Sequence, residues 1–207
     1  MNLIRSWMIA AICLCLISVA SSTLENRTIT DMRGQKIQLP AHIERVVTID
    51  NGLVEGVMTI LGESDKIVGL GSKFGVSSQN FTSVTSGNYS YKNGMNPVRY
   101  LNPKLADLPL VAAESTGINY ETLAGLKPDV VIIRSGSCAA SWGINEETLK
   151  KNVEPIGKMG IPTVVVNAPP FYDHPNLSTI SEEIRVIGQV FGKEERAEKL
   201  VDYLDNI

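Results

Sequence analysis

Histidine is scarce in these 207 residues: only His42 and His174 occur, each in a proline-flanked stretch. No His-x-x-x-His or Cys-x-x-Cys spacing is present, so a zinc site built on those motifs is excluded. His174 beside Asp173 and Tyr172 reads as a solvated loop residue, and no metal ligand is assigned. Cysteine is nearly as rare. Cys13 and Cys15 sit in the N-terminal apolar run, and Cys138 stands alone. A single cysteine in the body of the chain forms no internal disulfide, so the fold must rest on its apolar core. With no nearby histidine, Cys138 is also a poor nucleophile. Basic charge is not in excess: 19 Lys and Arg oppose 22 Asp and Glu, a net charge of −3, and there is no positive field for nucleic acid. Gly69-Leu70-Gly71 follows a strand, but the third glycine of a dinucleotide fingerprint is misplaced. No nucleophile elbow is found. No catalytic residue is therefore assigned, and the chain does not read as an enzyme.

The first residues carry a different signal. MNLIRS has one positive charge, WMIAAICLCLISVA is a 14-residue apolar run, and Ser18-Val19-Ala20 offers small residues before a cut at Ser21. This is the pattern of a secretory leader over residues 1–20. The run is short of the about 20 residues that span a bilayer. An uncleaved N-terminal anchor is the alternative. Either way the chain is expected outside the cytoplasm, periplasmic or at the cell surface. The Asn-x-Ser/Thr triplets at Asn26, Asn80, Asn88 and Asn176 then mark surface positions.

Along the rest of the chain, apolar runs of strand length alternate with helical periods. TITDMRGQKIQL reads as a hairpin turning at Gly34. IERVVTID, KIVGL, DVVIIR and PTVVVN read as buried strands. Leu53, Val54, Val57, Ile60 and Leu61 fall at helical spacing before Gly62, and NYETLAGLKP is a short helix ended by Pro128. Asn145 is placed to cap a helix carrying Leu149, Val153 and Ile156, broken or restarted at Pro155. Residues 72–118 show no period and read as a long loop rich in Ser, Asn and Tyr. Thr179-Ile180-Ser181-Glu182 has the form of a capping box opening a helix whose Ile180, Ile184, Ile187 and Phe191 share a face. After Gly192 a last helix places Ala197, Leu200, Val201 and Leu204 on an apolar face with no later sequence to cover it. Continuous Val/Ile strands separated by helices predict an α/β fold: a parallel sheet flanked by helices.

Ligands of open parallel sheets sit outside the carboxyl ends of the strands. Those ends carry Asp50-Asn51, Lys73-Phe74, Arg134 with Ser137, and Pro169 to Tyr172, and Trp142 lies close in sequence. Asp50, Asn51, Lys73, Phe74, Arg134, Ser137, Trp142 and Tyr172 are the candidate ligand-binding residues. Two cations, hydroxyls and aromatics together suit a bulky ligand with aromatic or anionic parts.

The order TDMRGQKIQLP, ERVVTID, LGESDKIVGLGS, INYETLAGLKPDVVII, GIPTVVVNA and ISEEIRVIGQVFGKEERAEKLV resembles the substrate-binding proteins of ABC importers for ferric siderophores, haem and cobalamin. The resemblance runs from Ile29 to the end. It implies two α/β lobes joined by a long helix, a metal chelate or corrinoid as ligand, and no cofactor. It also implies delivery to an ABC permease, with Glu121 at the position of the carboxylate that docks on permease arginines. Membrane contact would come only through that permease or the anchor. Arg134 stands where cobalamin binders of this kind tend to place an aromatic, which tilts the expectation toward an anionic chelate. In this division residues 28–175 form the N-terminal lobe, 176–192 the linker helix and 193–207 the start of a second lobe. The expected state is a truncated form carrying half of a binding cleft. A self-sufficient single-lobe surface module, dimerising through its last helix, is the alternative; an exported α/β enzyme is a third.

Overall fold

The computed structural model describes residues 26–83, 89–113, 117–136 and 146–206. The expected leader, Ser137, Cys138 and Trp142 lie outside them. The predicted hairpin is present as β1 (Arg27–Thr30) and β2 (Lys36–Leu39), antiparallel with Ile29 opposite Ile37. Gly34 adopts a φ of 74°, the left-handed conformation that a turn of this kind asks of glycine.

The central sheet has four parallel strands. They are β3 (Val46–Ile49), β4 (Ile67–Leu70), β9 (Val130–Ser135) and β10 (Thr163–Asn167), in the spatial order β10-β9-β3-β4. Their near-unbroken Val/Ile composition follows from burial on both faces. Val46, Val130, Ile132, Val164 and Val166 join one core cluster, and Val47, Ile49, Val131, Ile133 and Val165 the other. The first face is covered by α1 (Leu53–Leu61) and α5 (Ser178–Phe191). The second face is covered by α3 (Tyr120–Gly125) and α4 (Glu146–Lys158). Fully burying one such side chain contributes about 1.5–3 kcal/mol, so these two clusters carry the fold without a disulfide.

Both sheet edges are closed. On the β10 side the hairpin turn supplies Met32 N to Val165 O at 3.1 Å, and Arg33 Nη2 to Thr163 O at 3.0 Å. Beyond β4, Leu70 exchanges hydrogen bonds with Pro109 O and Val111 N. Unpaired edge groups invite association, and the chain satisfies them internally here.

Four expectations are corrected. The segment 72–118 is not a structureless loop. It forms an antiparallel hairpin of β5 (Ser78–Ser83) and β6 (Tyr89–Met95), then α2 (Pro97–Leu101), and a two-residue ladder of β7 (Ala112–Ala113) and β8 (Gly117–Ile118). An antiparallel ladder needs only backbone groups, so a Ser/Asn-rich stretch forms it without an apolar period. Pro155 does not break α4, because Leu149 and Ile156 on either side of it are anchored in the core. The capping box is absent: α5 begins at Ser178, whose N–H bonds Asn176 Oδ1, so Thr179 lies inside the helix. The last helix, α6 (Glu194–Asp205), is not left uncovered on its apolar face. Ala197 and Val201 are buried in the same core as α1 and α5, and the left-handed turn at Gly192 folds α6 back along α5. Arg185–Glu198 at 2.9 Å and Ser181 Oγ to Asp205 at 3.1 Å join the two helices, and Lys193–Glu63 at 3.3 Å ties the turn to the end of α1. Of the large apolar side chains on α6, Tyr203 and Leu204 stay exposed. No helix among the described residues is long and apolar enough to cross a membrane.

Candidate functional site

Because the strands are parallel, their carboxyl ends share one edge of the sheet, and the loops leaving them form a common rim. The backbone there is packed too closely for side chains. A Cβ on Gly75 would lie 2.6 Å from Gly52 Cα, and one on Gly136 (φ 75°) 2.8 Å from Phe171 N. The loops after β3 and β4 therefore touch backbone to backbone, as do those after β9 and β10.

Beneath the rim lies a buried charged cluster that draws on four elements. Arg134, near the end of β9, donates from Nε and Nη2 to the two carboxylate oxygens of Glu183 on α5, at 2.5 and 3.0 Å. Its Nη1 lies 3.9 Å from Asp50 Oδ1, while Asp50 Oδ2 accepts the N–H of Val54 at 2.8 Å and so caps α1. The Glu183 and Asp50 side chains are fully enclosed, and Arg134 is 14% exposed. One turn along α1, Glu55 is 2% exposed; it accepts a hydrogen bond from the Thr48 hydroxyl, and its Oε2 has no partner. Two carboxyl groups, those of Glu183 and Asp50, thus face one guanidinium, and Glu55 adds a third buried carboxyl near Asp50. Burial pushes the Glu55 carboxyl up to about 7, and the negative charge of Asp50 adds to this; the Thr48 hydroxyl and the backbone amides at the start of α1 act in the opposite direction. Burial also raises Glu183, against the pull of Arg134.

This geometry sorts the sequence-derived candidates. Asp50 and Arg134 meet, but they bind each other's surroundings: Asp50 is closed to a ligand, and the Arg134 fork is occupied by Glu183. In this structure the Arg134 fork is turned to Glu183 and its Nη1 toward Asp50. Asn51 is half-buried. Lys73 is exposed, its Nζ 3.1 Å from Ala106 O, and Phe74 beside it is 57% exposed. Tyr172 is 38% exposed and stands edge-on to Phe171, ring centroids 5.6 Å apart. The open surface of the rim is therefore aromatic with one lysine, at Phe74, Tyr172 and Lys73. Ser137 and Trp142 lie outside the described residues. Glu121 stands apart from the rim, exposed in the first turn of α3, where Asn119 Oδ1 accepts the Thr122 N–H at 2.9 Å.

Glu55 and Glu183 were not among the candidates. Their signal was a carboxylate on an otherwise apolar helical stripe: Glu55 three residues before Met58, Glu183 three after Ile180 and four before Ile187. Among the described residues no group of three or more His, Cys, Asp or Glu is arranged to hold a metal.

A family model described as "Periplasmic binding protein" matches residues 85–207. The molybdate-binding protein MolA of Haemophilus influenzae is 26% identical over 196 residues, which cover 90% of this chain and 49% of MolA. A periplasmic solute binding protein from Veillonella parvula superposes with a TM-score of 0.62 at 24% identity, over 88% of this chain and 46% of that one. SirA of Staphylococcus aureus, solved with staphyloferrin B, gives 0.53 at 22% identity, over 87% of this chain and 47% of its own. The chain spans about half the length of the relatives it matches.

Proposed function

Since this chain belongs to the periplasmic binding protein family, we propose that it is the ligand-capturing lobe of the extracytoplasmic substrate-binding component of an ABC importer for a metal chelate. The matched relatives are binding proteins rather than enzymes, and their family is extracytoplasmic. Residues 28–175 form the lobe, 176–192 the helix that leads to a second lobe, and residues 1–20 the export leader. The ligand lies across the carboxyl ends of β3, β4, β9 and β10, against Phe74, Tyr172 and Lys73, and Glu121 meets the permease on another surface.

One observation carries the choice of ligand class. The Arg134 guanidinium is bound on two sides by Glu183 and faces Asp50 on a third, so the floor of the cleft is net acidic. The exposed rim is aromatic, with Lys73 as its cation. A bare oxyanion needs several converging donors, whereas a chelate with apolar or aromatic surface and a modest negative charge matches what the rim offers. Similarity to a molybdate binder makes molybdate the competing ligand. Titration of ferric catecholate siderophore, haemin, cyanocobalamin and molybdate into the chain, followed by tyrosine and tryptophan fluorescence, separates the two. Saturable binding of a chelate and none of molybdate is expected. Binding of molybdate alone, or of none of the four, overturns the reading.

A further inference from the structure

A cavity of about 680 Å³ opens at the outer corner of the lobe, where the β1–β2 hairpin, α4 and the end of β10 meet. That volume is within the range of small-molecule sites, roughly 300–1,000 Å³. Its walls are Met32 and Ile37 from the hairpin, Leu149 and Val153 from α4, and Phe171 from the loop after β10. Neither Arg134 nor Asp50 lines it; Tyr172, which also stands on the rim, is part of its wall.

The walls are held before any ligand arrives. The hairpin turn is pinned to β10 by Asp31 Oδ2, which accepts the Val165 N–H at 3.1 Å, and by the bonds of Met32 and Arg33 to the same strand. Leu149 is buried on its inner side. An apolar cleft of this size is therefore built into the fold.

Polar and charged side chains make up the rest of its lining, and one of them, Asn167, is buried. Asn167 is 3% exposed, its Oδ1 has no hydrogen-bond partner, and its Nδ2 makes only 3.4 Å contacts to Met32 O and the Tyr172 hydroxyl. Leaving a buried amide oxygen unsatisfied is unfavourable, and a small rotation of this amide would present it to a donor in the cavity. At the mouth, Arg33 is neutralised by Asp31 at 2.6 Å and Glu154 by Lys158 at 2.8 Å. Lys36, Lys150 and Glu146 make no ion pair with a described residue, which leaves one positive charge in excess.

We propose that this corner cavity is a second ligand site, adjoining the chelate cleft at Tyr172, for a small flat apolar anion that carries an N–H or O–H donor. The ring system lies between Val153 and Phe171, the donor meets the Asn167 amide, and the anionic group faces Lys36 and Lys150.

The dye 1-anilinonaphthalene-8-sulfonate has all three features and reports its own burial by fluorescence. Titrated into the full chain, it is expected to saturate at one molecule per chain with a Kd of roughly tens of micromolar. Val153→Trp fills the cavity and should weaken binding about tenfold or more, a loss of about 1.4 kcal/mol. Lys150 is exposed, so Lys150→Glu carries the test even if Val153→Trp fails to fold, and it should weaken binding severalfold at low salt. Phe74→Ala, in the chelate cleft, should leave dye binding unchanged. Non-saturating fluorescence, parental affinity in both cavity variants, or loss of binding in Phe74→Ala would each overturn the proposal.

Discussion

Arg134 at the end of β9 and Glu183 on α5 are joined through two parallel hydrogen bonds, 2.5 and 3.0 Å long, and the carboxylate is fully enclosed. The pair fastens the carboxyl edge of the sheet to the helix that crosses behind it. It also engages the cation that its sequence position had offered to a ligand.

Removing one partner of such a pair leaves a buried charge uncompensated, at a cost of about 3–5 kcal/mol. Arg134→Met should therefore destabilise the chain by about that much, since Glu183 and Asp50 both lose their counter-ion. Adding Glu183→Leu should recover more than half of the loss, because the remaining site is apolar apart from an Asp50 that still caps Val54. Urea denaturation of the two single variants and the double variant measures the coupling. Additive losses would show that the two residues do not act as a pair.

Glu55 makes stability depend on pH with a definite sign. Its carboxyl titrates near 7 in the folded chain and near 4.5 when unfolded, so the native state holds a proton that the unfolded state has released. The associated stability is complete below about pH 4.5, falls as pH rises through 7, and is flat above. A shift of this size corresponds to roughly 3 kcal/mol. Glu183, also raised, acts in the same direction. The chain should unfold at higher urea at pH 5 than at pH 8, and Glu55→Gln should remove most of that slope and raise stability at pH 8. A Glu55→Gln variant with the parental slope would assign the proton elsewhere.

The sheet and its flanking helices were legible because the signals that encode them are local. Four Val/Ile runs and the stripes of α1 and α5 each fall within a short window, and both faces of the sheet are apolar. The hairpin at 78–95 was not legible, since its ladder is made of backbone groups that every residue has. The rim was readable as a place, because parallel strands put their carboxyl ends together. Its chemistry was not. Whether Arg134 serves a ligand or the fold depends on Glu183, 49 positions later, and no local pattern links the two. A carboxylate on an apolar stripe was the available clue, and α6 likewise owes its buried Ala197 and Val201 to a turn at Gly192 that folds it back on α5.

Glycine positions separate close packing from mere permissiveness. A Cβ on Gly71 would lie 2.7 Å from Ile49 Cα, and neither backbone can yield without disturbing β3. Gly71→Ala should cost about 1–3 kcal/mol, as overpacking does. Gly157, inside α4, has nothing within 4 Å of its Cβ position, so Gly157→Ala should stabilise by about 0.5–1 kcal/mol through helix propensity. Thermal melts of both variants test the contrast, and equal effects would refute it.

Glu121 tests the proposed docking surface apart from the ligand site. Its carboxylate is exposed in the first turn of α3, a helix already capped by Asn119, so the fold asks little of it. The favourable interaction of a first-turn acid with the helix dipole is only about 0.3–1 kcal/mol at the surface. Glu121→Lys should lower stability by no more than about 1 kcal/mol and leave ligand binding intact, because α3 does not line the rim. If Glu121 meets basic residues of the permease, reversing its charge should abolish import in cells that depend on this protein, and Glu121→Gln should reduce it less. Graded loss of uptake with unchanged ligand affinity is the expected signature, measured by labelled-ligand uptake and by titration of the purified variants. Parental uptake in Glu121→Lys would remove this carboxylate from the interface, and loss of ligand affinity would place its effect inside the lobe.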